Sequence, residues 1–169
     1  MSIRPLTLDD IPAMIELVKL DGPALERFKK QAHNYCSNKS SYSQAIGFFD
    51  DGLKGFILFH LNDSINAWTV GRLVGSLVAM SNLFLYATNL ANESGFYQLF
   101  TVMAANKSSR IEKIIKERLN IPYEAAIDEK VRAKERPLTN VYWDWLFMNT
   151  VREQDVVITH YWLPQIYRS

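Results

Sequence analysis

Alternation between apolar and polar residues predicts strands along the first half of the chain, and apolar residues three or four apart predict helices. The predicted elements are a strand at 3–6, helices at 11–20 and 24–35, and strands at 44–49, 54–61 and 64–70. Asp50-Asp51-Gly52 and Asn62-Asp63 supply the residues that turns between the last three strands require. The first half is therefore expected to contribute two helices and a meander of strands.

The segment 73–92 carries no charged residue and is closed by Gly95. Its length matches the roughly 20 residues that cross a bilayer, so a membrane span is one interpretation. Asparagine is costly in hydrocarbon, and polar residues interrupt several faces of this run: Ser76, Ser81, Asn82, Thr88, Asn89 and Asn92. No basic cluster flanks one side, as an oriented span requires. We therefore expect a central helix that is buried on most of its surface and stopped by Gly95.

The second half is predicted to add further strands and one amphipathic helix. The expected elements are a strand at 96–104, a helix at 109–119, a charged stretch at 123–137 with a short helix, and strands at 141–149 and 156–163. The last two strands are expected to pair antiparallel. This order predicts an α/β (α+β) fold in a single domain over residues 1–169, with a mixed, mainly antiparallel sheet and one internal crossover.

The composition is that of an ordinary globular protein of 169 residues, of which 48% are hydrophobic and 22% charged. A net charge of +1 gives no general attraction to nucleic acid or to acidic membranes. Cys36 is the only cysteine, which excludes an intrachain disulfide and a cysteine-based metal cluster and fits a reducing compartment. It falls in a predicted polar loop at 34–43, which gives little support for a catalytic thiol. The N-terminus lacks the apolar core of a signal peptide.

Three short sequence segments, taken in their order along the chain, are informative. They are Ile3-Arg4-Pro5-Leu6-Thr7-Leu8-Asp9-Asp10-Ile11-Pro12-Ala13-Met14, Gly95-Phe96-Tyr97-Gln98-Leu99-Phe100 and Ala105-Asn106-Lys107-Ser108-Ser109. The segments resemble the opening, the fifth strand and the start of the fourth helix of the GCN5-related N-acetyltransferase (GNAT) family. The order of the elements is similar over nearly the whole chain. The resemblance implies a GNAT-like domain with acyl-CoA in a V-shaped gap between the fourth and fifth strands.

In that family the pyrophosphate of the cofactor is held by a loop with the pattern Gln/Arg-x-x-Gly-x-Gly/Ala. Glycine lets the backbone approach closely, and a helix N-terminus favours an anion. The best match here is Arg72-Leu73-Val74-Gly75-Ser76-Leu77, with Leu77 in place of the last small residue, and a second placement lies one turn later at 75–80. The resemblance implies acetyl-CoA as the cofactor and a binding set of Val70, Arg72, Gly75, Ser76 and Asn106.

The resemblance also implies a general base near the fourth strand and a tyrosine on the fourth helix as general acid. The predicted fourth strand contains no acid, so His60 and Asp63, which precede it, are the candidates for the base. Histidine titrates near neutral pH, which suits that role. Lys113 or Lys116 stands where the tyrosine belongs, and Tyr123, just past the helix, is the substitute.

Each candidate also has a purely structural explanation. Arg72 can be a surface residue at a strand end, and Gly75 can be a turn glycine. His60 can close a strand before a turn, and Asn106 can cap a helix with no ligand present. His160, in the alternating row of the last strand, is expected to be packed or hydrogen-bonded.

Two functions remain open. The first is an acyl-CoA-dependent N-acyltransferase, located in the cytoplasm, in which an amine substrate attacks the thioester directly. The second is a catalytically weak or inactive GNAT-fold protein that serves as a binding or structural component, for example of a phage particle. The departures from the loop pattern indicate a divergent member, of the kind that phages encode. Aromatic residues alternate in 141–149, so the C-terminal strands are expected to contact a protein partner or a second copy.

Overall fold

The predicted helices and strands are largely present in the computed structural model, which describes residues 1–37, 42–104, 110–132 and 155–168. In chain order they are β1 (Ser2–Pro5), α1 (Ile11–Val18), α2 (Gly22–Cys36), β2 (Ser43–Phe49), β3 (Leu53–Asn62), β4 (Ala67–Gly75), α3 (Leu77–Glu93), β5 (Gln98–Ala104), α4 (Arg110–Lys113), β6 (Glu124–Val131) and β7 (Val156–Trp162). A π-helical turn, Ile114–Arg118, continues α4, and short 3-10 turns occupy Leu8–Asp10 and Gln165–Tyr167.

The strands form a sheet in the order β1-β2-β3-β4-β5-β7-β6. β2 pairs antiparallel with β1 and β3, and β7 pairs antiparallel with β5 and β6. β4 and β5 are parallel, through Trp68 opposite Leu99 and Thr69 opposite Phe100. Parallel neighbours need a crossover connection, and α3 provides it. The predicted mixed, mainly antiparallel α/β fold is therefore confirmed.

The described chain divides into two compact units. The first comprises Met1–Leu61 with Val70–Ala91, and the second comprises Asn62–Thr69 with Asn92–Ser169. The expectation of one domain over the whole chain stays a prediction.

The core of the first unit lies between the sheet and helices α1 and α2. Phe56 and Leu58 alternate along β3 and are fully buried, together with Met14 of α1 and Phe28 of α2. Burying each such side chain contributes roughly 1.5–3 kcal/mol relative to leaving it exposed. The two helices are thereby fixed on one face of β3.

Helix α3 confirms the interpretation of the charge-free segment as a core helix. Ser81 Oγ donates to the carbonyl of Leu77 at 2.7 Å, and Thr88 Oγ1 donates to that of Phe84 at 2.8 Å. These bonds satisfy polar groups on a buried helix face. None of the helices in the described part of the chain combines the length and apolar content of a membrane span. Gly95, at φ +88°, adopts the left-handed conformation expected of a residue just past a helix end.

The second unit is built on the antiparallel ribbon of β5, β7 and β6. Phe100, Val156 and Ile158 of this ribbon form a buried cluster with Ala67, the first residue of β4. The π-helical turn has the wider hydrogen bond that defines it, from the N–H of Leu119 to the carbonyl of Ile114 at 2.9 Å.

Three expectations are wrong. Residues Glu124–Val131 form a strand, not a helix, because they pair along β7 and tertiary pairing overrides local charge patterns. The fourth strand begins at Ala67, after a turn in which Asn66 has φ +51°, and runs on to Gly75. Cys36 does not lie in a polar loop but ends α2, where it is 1% exposed. The strand predicted at 141–149 lies outside the described residues.

Candidate functional site

The junction of β4 and α3 carries the loop that matches the cofactor pattern. β4 ends at Gly75 and α3 begins at Leu77, so Ser76 alone joins them. Ser76 Oγ accepts the N–H of Ala79 at 3.2 Å, and the Ser76 carbonyl accepts the N–H of Met80 at 2.8 Å. Ser76 is therefore the N-cap of α3. Of the two placements of the pattern, the one at 72–77 spans the strand-to-helix junction, whereas 75–80 runs into the first turn of α3.

The N-terminus of α3 has donor capacity that the helix itself does not use. The first N–H groups of a helix have no intrahelical acceptor, and here these belong to Leu77 and Val78, ahead of the capped Ala79. The first turn contains no acidic residue. Val78 is 53% exposed. The helix dipole and these donors make the junction electrostatically suited to an anion.

Gly75 has a structural requirement of its own. Its φ of +136° is a conformation that favours glycine, and an added Cβ would lie 3.0 Å from both Gly55 Cα and the Lys54 carbonyl oxygen. Close packing of β3 against the end of β4 therefore accounts for this glycine with or without a ligand.

Arg72 is held by α2. Its Nε donates to Gln31 Oε1 at 3.0 Å, and its guanidinium carbon lies 5.1 Å from the centre of the Phe28 ring. Gln31 Nε2 in turn donates to the Gly71 carbonyl at 3.4 Å. Burial lowers the pKa of Arg72 from its ordinary value, which still leaves the guanidinium charged at neutral pH. Val70, two residues earlier on β4, is half-buried.

His60 lies near the end of β3, on the face that carries Phe56 and Leu58. Its Nδ1 is 2.9 Å from Ser43 Oγ on the paired strand β2. Burial lowers the pKa of His60 below its ordinary value. The imidazole is therefore mainly neutral at neutral pH, the state in which it can accept a proton.

The other predicted catalytic residues belong to the second unit. Asp63 is exposed in the turn before β4, and its carbonyl accepts the N–H of Asn66 at 3.4 Å. Tyr123 packs its ring against that of Tyr161, with the centroids 6.0 Å apart. Asn106 lies outside the described residues. Among the residues that the structure describes, no group of acidic, histidine and cysteine side chains is arranged to hold a metal ion.

Two sets of contacts in the structure were not predicted from the sequence. Gln31, forty positions before Gly71, approaches β4 only through the packing of α2. Gln98 and Trp162 contact His160 on one face of the second unit, and Glu124 contacts Trp162 there. The alternation of residues in β7 predicted that His160 is packed or hydrogen-bonded. This prediction is confirmed, since His160 Nε2 lies 3.0 Å from Gln98 Oε1. Its partners come from other strands, which alternation in one segment does not reveal.

Comparison with known proteins identifies the fold. No protein-family profile and no curated protein sequence matches the chain. Solved structures do match: a probable acetyltransferase from Staphylococcus epidermidis has a TM-score of 0.63 at 16% identity, with 95% of this chain and 98% of that chain covered. The chain has the GNAT fold.

Two further structures extend this similarity. An aminoglycoside 6'-acetyltransferase of type Ii has a TM-score of 0.63 at 12% identity, with 98% of this chain and 99% of that chain covered. PaiA N-acetyltransferase from Thermoplasma acidophilum, solved in complex with coenzyme A, has a TM-score of 0.58 at 15% identity, with 94% and 96% covered. At these identities the GNAT fold is what is shared.

Proposed function

We propose that this GNAT-fold protein is an acyl-CoA-dependent N-acyltransferase. The matched solved structures that support it are acetyltransferases over nearly their full length, and one of them is a coenzyme A complex. Fold alone does not decide activity, so the proposal depends on the residues of this chain.

The junction of β4 and α3 is the observation that carries the proposal. Ser76 caps α3, the N–H groups of Leu77 and Val78 remain as donors, and no carboxylate occupies the first turn. These groups suit the pyrophosphate of acyl-CoA, because backbone donors at a helix N-terminus favour phosphate oxygens. Leu77 replaces the small residue of the family pattern but is only half-buried.

In this proposal the residues of the chain position the reactants and transfer protons. Acyl-CoA supplies the activated acyl group as a thioester, and an amine attacks it directly without a covalent enzyme intermediate. Backbone N–H groups at the α3 N-terminus orient the cofactor, and such orientation is a large part of catalysis for a bound pair of reactants. His60, Asp63 and Tyr123 stay predictions for the catalytic residues. The predicted cofactor contacts also stay predictions: Val70, Arg72, Gly75, Ser76 and Asn106.

Substitution of Leu77 tests the role of the backbone donors. Proline is tolerated at the first position of a helix but has no N–H, so Leu77→Pro removes one donor while the helix is kept. Leu77→Ala retains the N–H and serves as the matched control. We expect acetyl-CoA to bind the natural protein with a stoichiometry of one in calorimetry and to raise its melting temperature. Binding should weaken about tenfold in Leu77→Pro, the loss expected for one charge-assisted hydrogen bond.

Leu77→Ala should bind acetyl-CoA at least as tightly as the natural protein, because the shorter side chain leaves more room beside the helix N-terminus. Absence of heat and of any melting shift at millimolar acetyl-CoA would sink the proposal. Equal binding by the proline and alanine variants would show that this N–H does not hold the cofactor.

A second candidate function is favoured by the outer surface of α3. Val78, Leu85 and Tyr86 are large residues exposed on this helix, which carries no charge before Glu93. An uncharged apolar face can meet the same face of a second copy without like-charge repulsion. A catalytically inactive structural component would then self-associate through α3. Sedimentation at high concentration checks this, and a strictly monomeric protein whose mass is unaffected by Leu85→Lys would count against it.

A further inference from the structure

One face of β5, β7 and β6 carries a continuous set of polar and aromatic side chains. Gln98 and Glu124 are both direct cross-strand partners of Trp162, so the three share a face. His160 lies two residues before Trp162 on this face, opposite Phe100. These five residues, all within the second unit, are called the polar-aromatic row.

Ring contacts fix the aromatic members of the row. The His160 ring stacks on that of Phe100, with the centroids 4.3 Å apart and the planes at 6°. Its other neighbour is the Trp162 ring at 5.2 Å. Trp162 Nε1 donates to Glu124 Oε2 at 2.7 Å, which orients both the indole and the carboxylate. The row is thus ordered by its own contacts.

The hydrogen bond with Gln98 determines which ring nitrogen of His160 carries the proton. Gln98 Nε2 donates to the Asn66 carbonyl at 3.3 Å, and a carbonyl can only accept, so Gln98 Oε1 is the atom that faces His160. An oxygen acceptor requires His160 Nε2 to be the N–H nitrogen. Neutral His160 therefore holds its lone pair on Nδ1.

Of the five residues of the row, Glu124 carries a carboxylate, and it lies next to an aromatic ring. Glu124 is exposed, and β5 contains no ionisable residue. Asp128 and Lys130 of β6 pair with Thr159 and Val157, whose side chains are on the opposite face. Glu124 lies at the edge of the Trp162 indole, where it accepts the ring N–H, and a carboxylate next to an aromatic ring can attract an organic cation.

We propose that the polar-aromatic row binds the ammonium group of the amine substrate, with Glu124 and the Trp162 ring holding the cation and His160 Nδ1 accepting a proton from it. This inference rests on the proposed N-acyltransferase function and names its substrate site.

The proton step is balanced within the row. One N–H bond of the ammonium breaks, its electron pair stays on the amine nitrogen, and the proton forms an N–H bond at His160 Nδ1. The positive charge passes to the imidazolium, whose Nε2–H still donates to Gln98 Oε1 and whose ring lies on Phe100. The amine then has the lone pair that attack on a thioester requires. Gln98 is a positioning residue in this scheme, and His160 is an alternative to His60 as the proton acceptor.

Binding is tested with butylammonium as the probe, in the absence of acyl-CoA. The indole N–H signal of Trp162, assigned by its loss in Trp162→Phe, should shift saturably in a nitrogen–proton correlation spectrum. Butanol, the neutral analogue, should not shift it. Glu124→Gln should weaken butylammonium binding about threefold to fivefold, while Asp128→Asn, a carboxylate change on the opposite face of the same strand, should leave it unchanged.

An unshifted Trp162 signal, or equal weakening by Glu124→Gln and Asp128→Asn, overturns the proposal. Signal dispersion in the same spectra reports whether each variant is folded. If Glu124→Gln does not fold, Trp162→Leu tests the ring instead, with calorimetric affinity for butylammonium as the measurement and the same expected direction.

The imidazole nitrogens of His160 test the proton acceptor directly. Long-range nitrogen–proton spectra should show a protonated Nε2 and an unprotonated Nδ1 at neutral pH, and Gln98→Leu should mix the two tautomers. A protonated Nδ1 overturns the role of His160. Acetyl-CoA binding without butylammonium binding overturns this inference alone. Butylammonium binding without acetyl-CoA binding overturns the proposed function, and the row is then a cation site that serves another purpose.

Discussion

Gly55 of β3 and Gly75 of β4 pack backbone against backbone, so a Cβ built on Gly75 would lie 3.0 Å from Gly55 Cα. A Cβ on Gly55 would in turn lie 2.7 Å from the Val74 carbonyl oxygen. Ala79, in the first turn of α3, contacts both positions, at 3.3 Å and 3.1 Å from the two added Cβ atoms. The glycine of the cofactor pattern is thus part of the packing that joins β3, β4 and the start of α3.

Gly75→Ala is expected to lower the free energy of unfolding by about 2–4 kcal/mol, because it combines a strained backbone angle with a backbone clash. Urea denaturation measures this change. Gly95→Ala is the matched control for strain alone, since its φ is +88° and an added Cβ meets nothing within 4 Å. We expect Gly95→Ala to lower the free energy of unfolding by about 1 kcal/mol. A Gly75→Ala variant as stable as the natural protein would contradict the packing role.

Arg72→Lys separates a structural from a phosphate-binding role of this arginine. Lysine cannot reproduce the bond from Nε to Gln31 or the flat contact with Phe28, so we expect the unfolding free energy to fall by about 1–2 kcal/mol. Gln31→Leu removes the same bond from the other side, and in a double-mutant cycle the two losses should not add. Lysine keeps the positive charge that a phosphate would contact, so calorimetry should show acetyl-CoA affinity changed by less than about threefold.

If Arg72→Lys keeps full stability and loses acetyl-CoA binding, the guanidinium holds phosphate and its contact with α2 is incidental. The cycle with Gln31→Leu makes this outcome distinct from a general loss of folding.

Hydrophobic periodicity predicted most of the fold because it reports burial within one segment. The helix at α3 followed from a charge-free run closed by Gly95, and β7 followed from alternation at Val156–Trp162. Periodicity failed at Glu124–Val131, where pairing with β7 organises a charged sequence into a strand. It also misplaced Cys36, because the polar residues that follow α2 hide the end of the helix.

The candidate site was predictable only where its residues are neighbours in sequence. The pattern at 72–77 was found because strand end, glycine, cap and helix start are consecutive. The contacts of Gln31 with Arg72, of Gln98 with His160 and of Glu124 with Trp162 depend on strand and helix packing over long sequence separations. A single sequence holds no local signal for such pairs.

Asp10 should make folding sensitive to acid. The hydrogen bonds from Arg4 hold the pKa of this carboxyl below its ordinary value, and the N–H of Thr7 donates to it at 2.8 Å. A lowered folded-state pKa gives stability that is complete above the unfolded value of about 3.9 and is lost as the pH falls through the folded value. Asp10→Asn should therefore lower the free energy of unfolding by about 1 kcal/mol at neutral pH. The free energy of unfolding of this variant should also decrease less steeply as the pH is lowered. Asp9→Asn, an exposed neighbour, is the control, and an equal effect of both variants would contradict the pairing.

The Cys36 thiol should not react with alkylating reagents in the folded protein. The thiol is 1% exposed, lies 3.8 Å from the Met14 sulfur, and burial raises its pKa to about 11. The thiolate is the reactive form, so alkylation at mildly alkaline pH should proceed only as fast as the chain unfolds and should become rapid in urea. Cys36→Ser should destabilise more than Cys36→Ala, by about 1 kcal/mol, because a buried hydroxyl replaces a soft apolar sulfur. Rapid stoichiometric alkylation of the folded protein would show that the thiol is accessible and would contradict the burial of the α2 terminus.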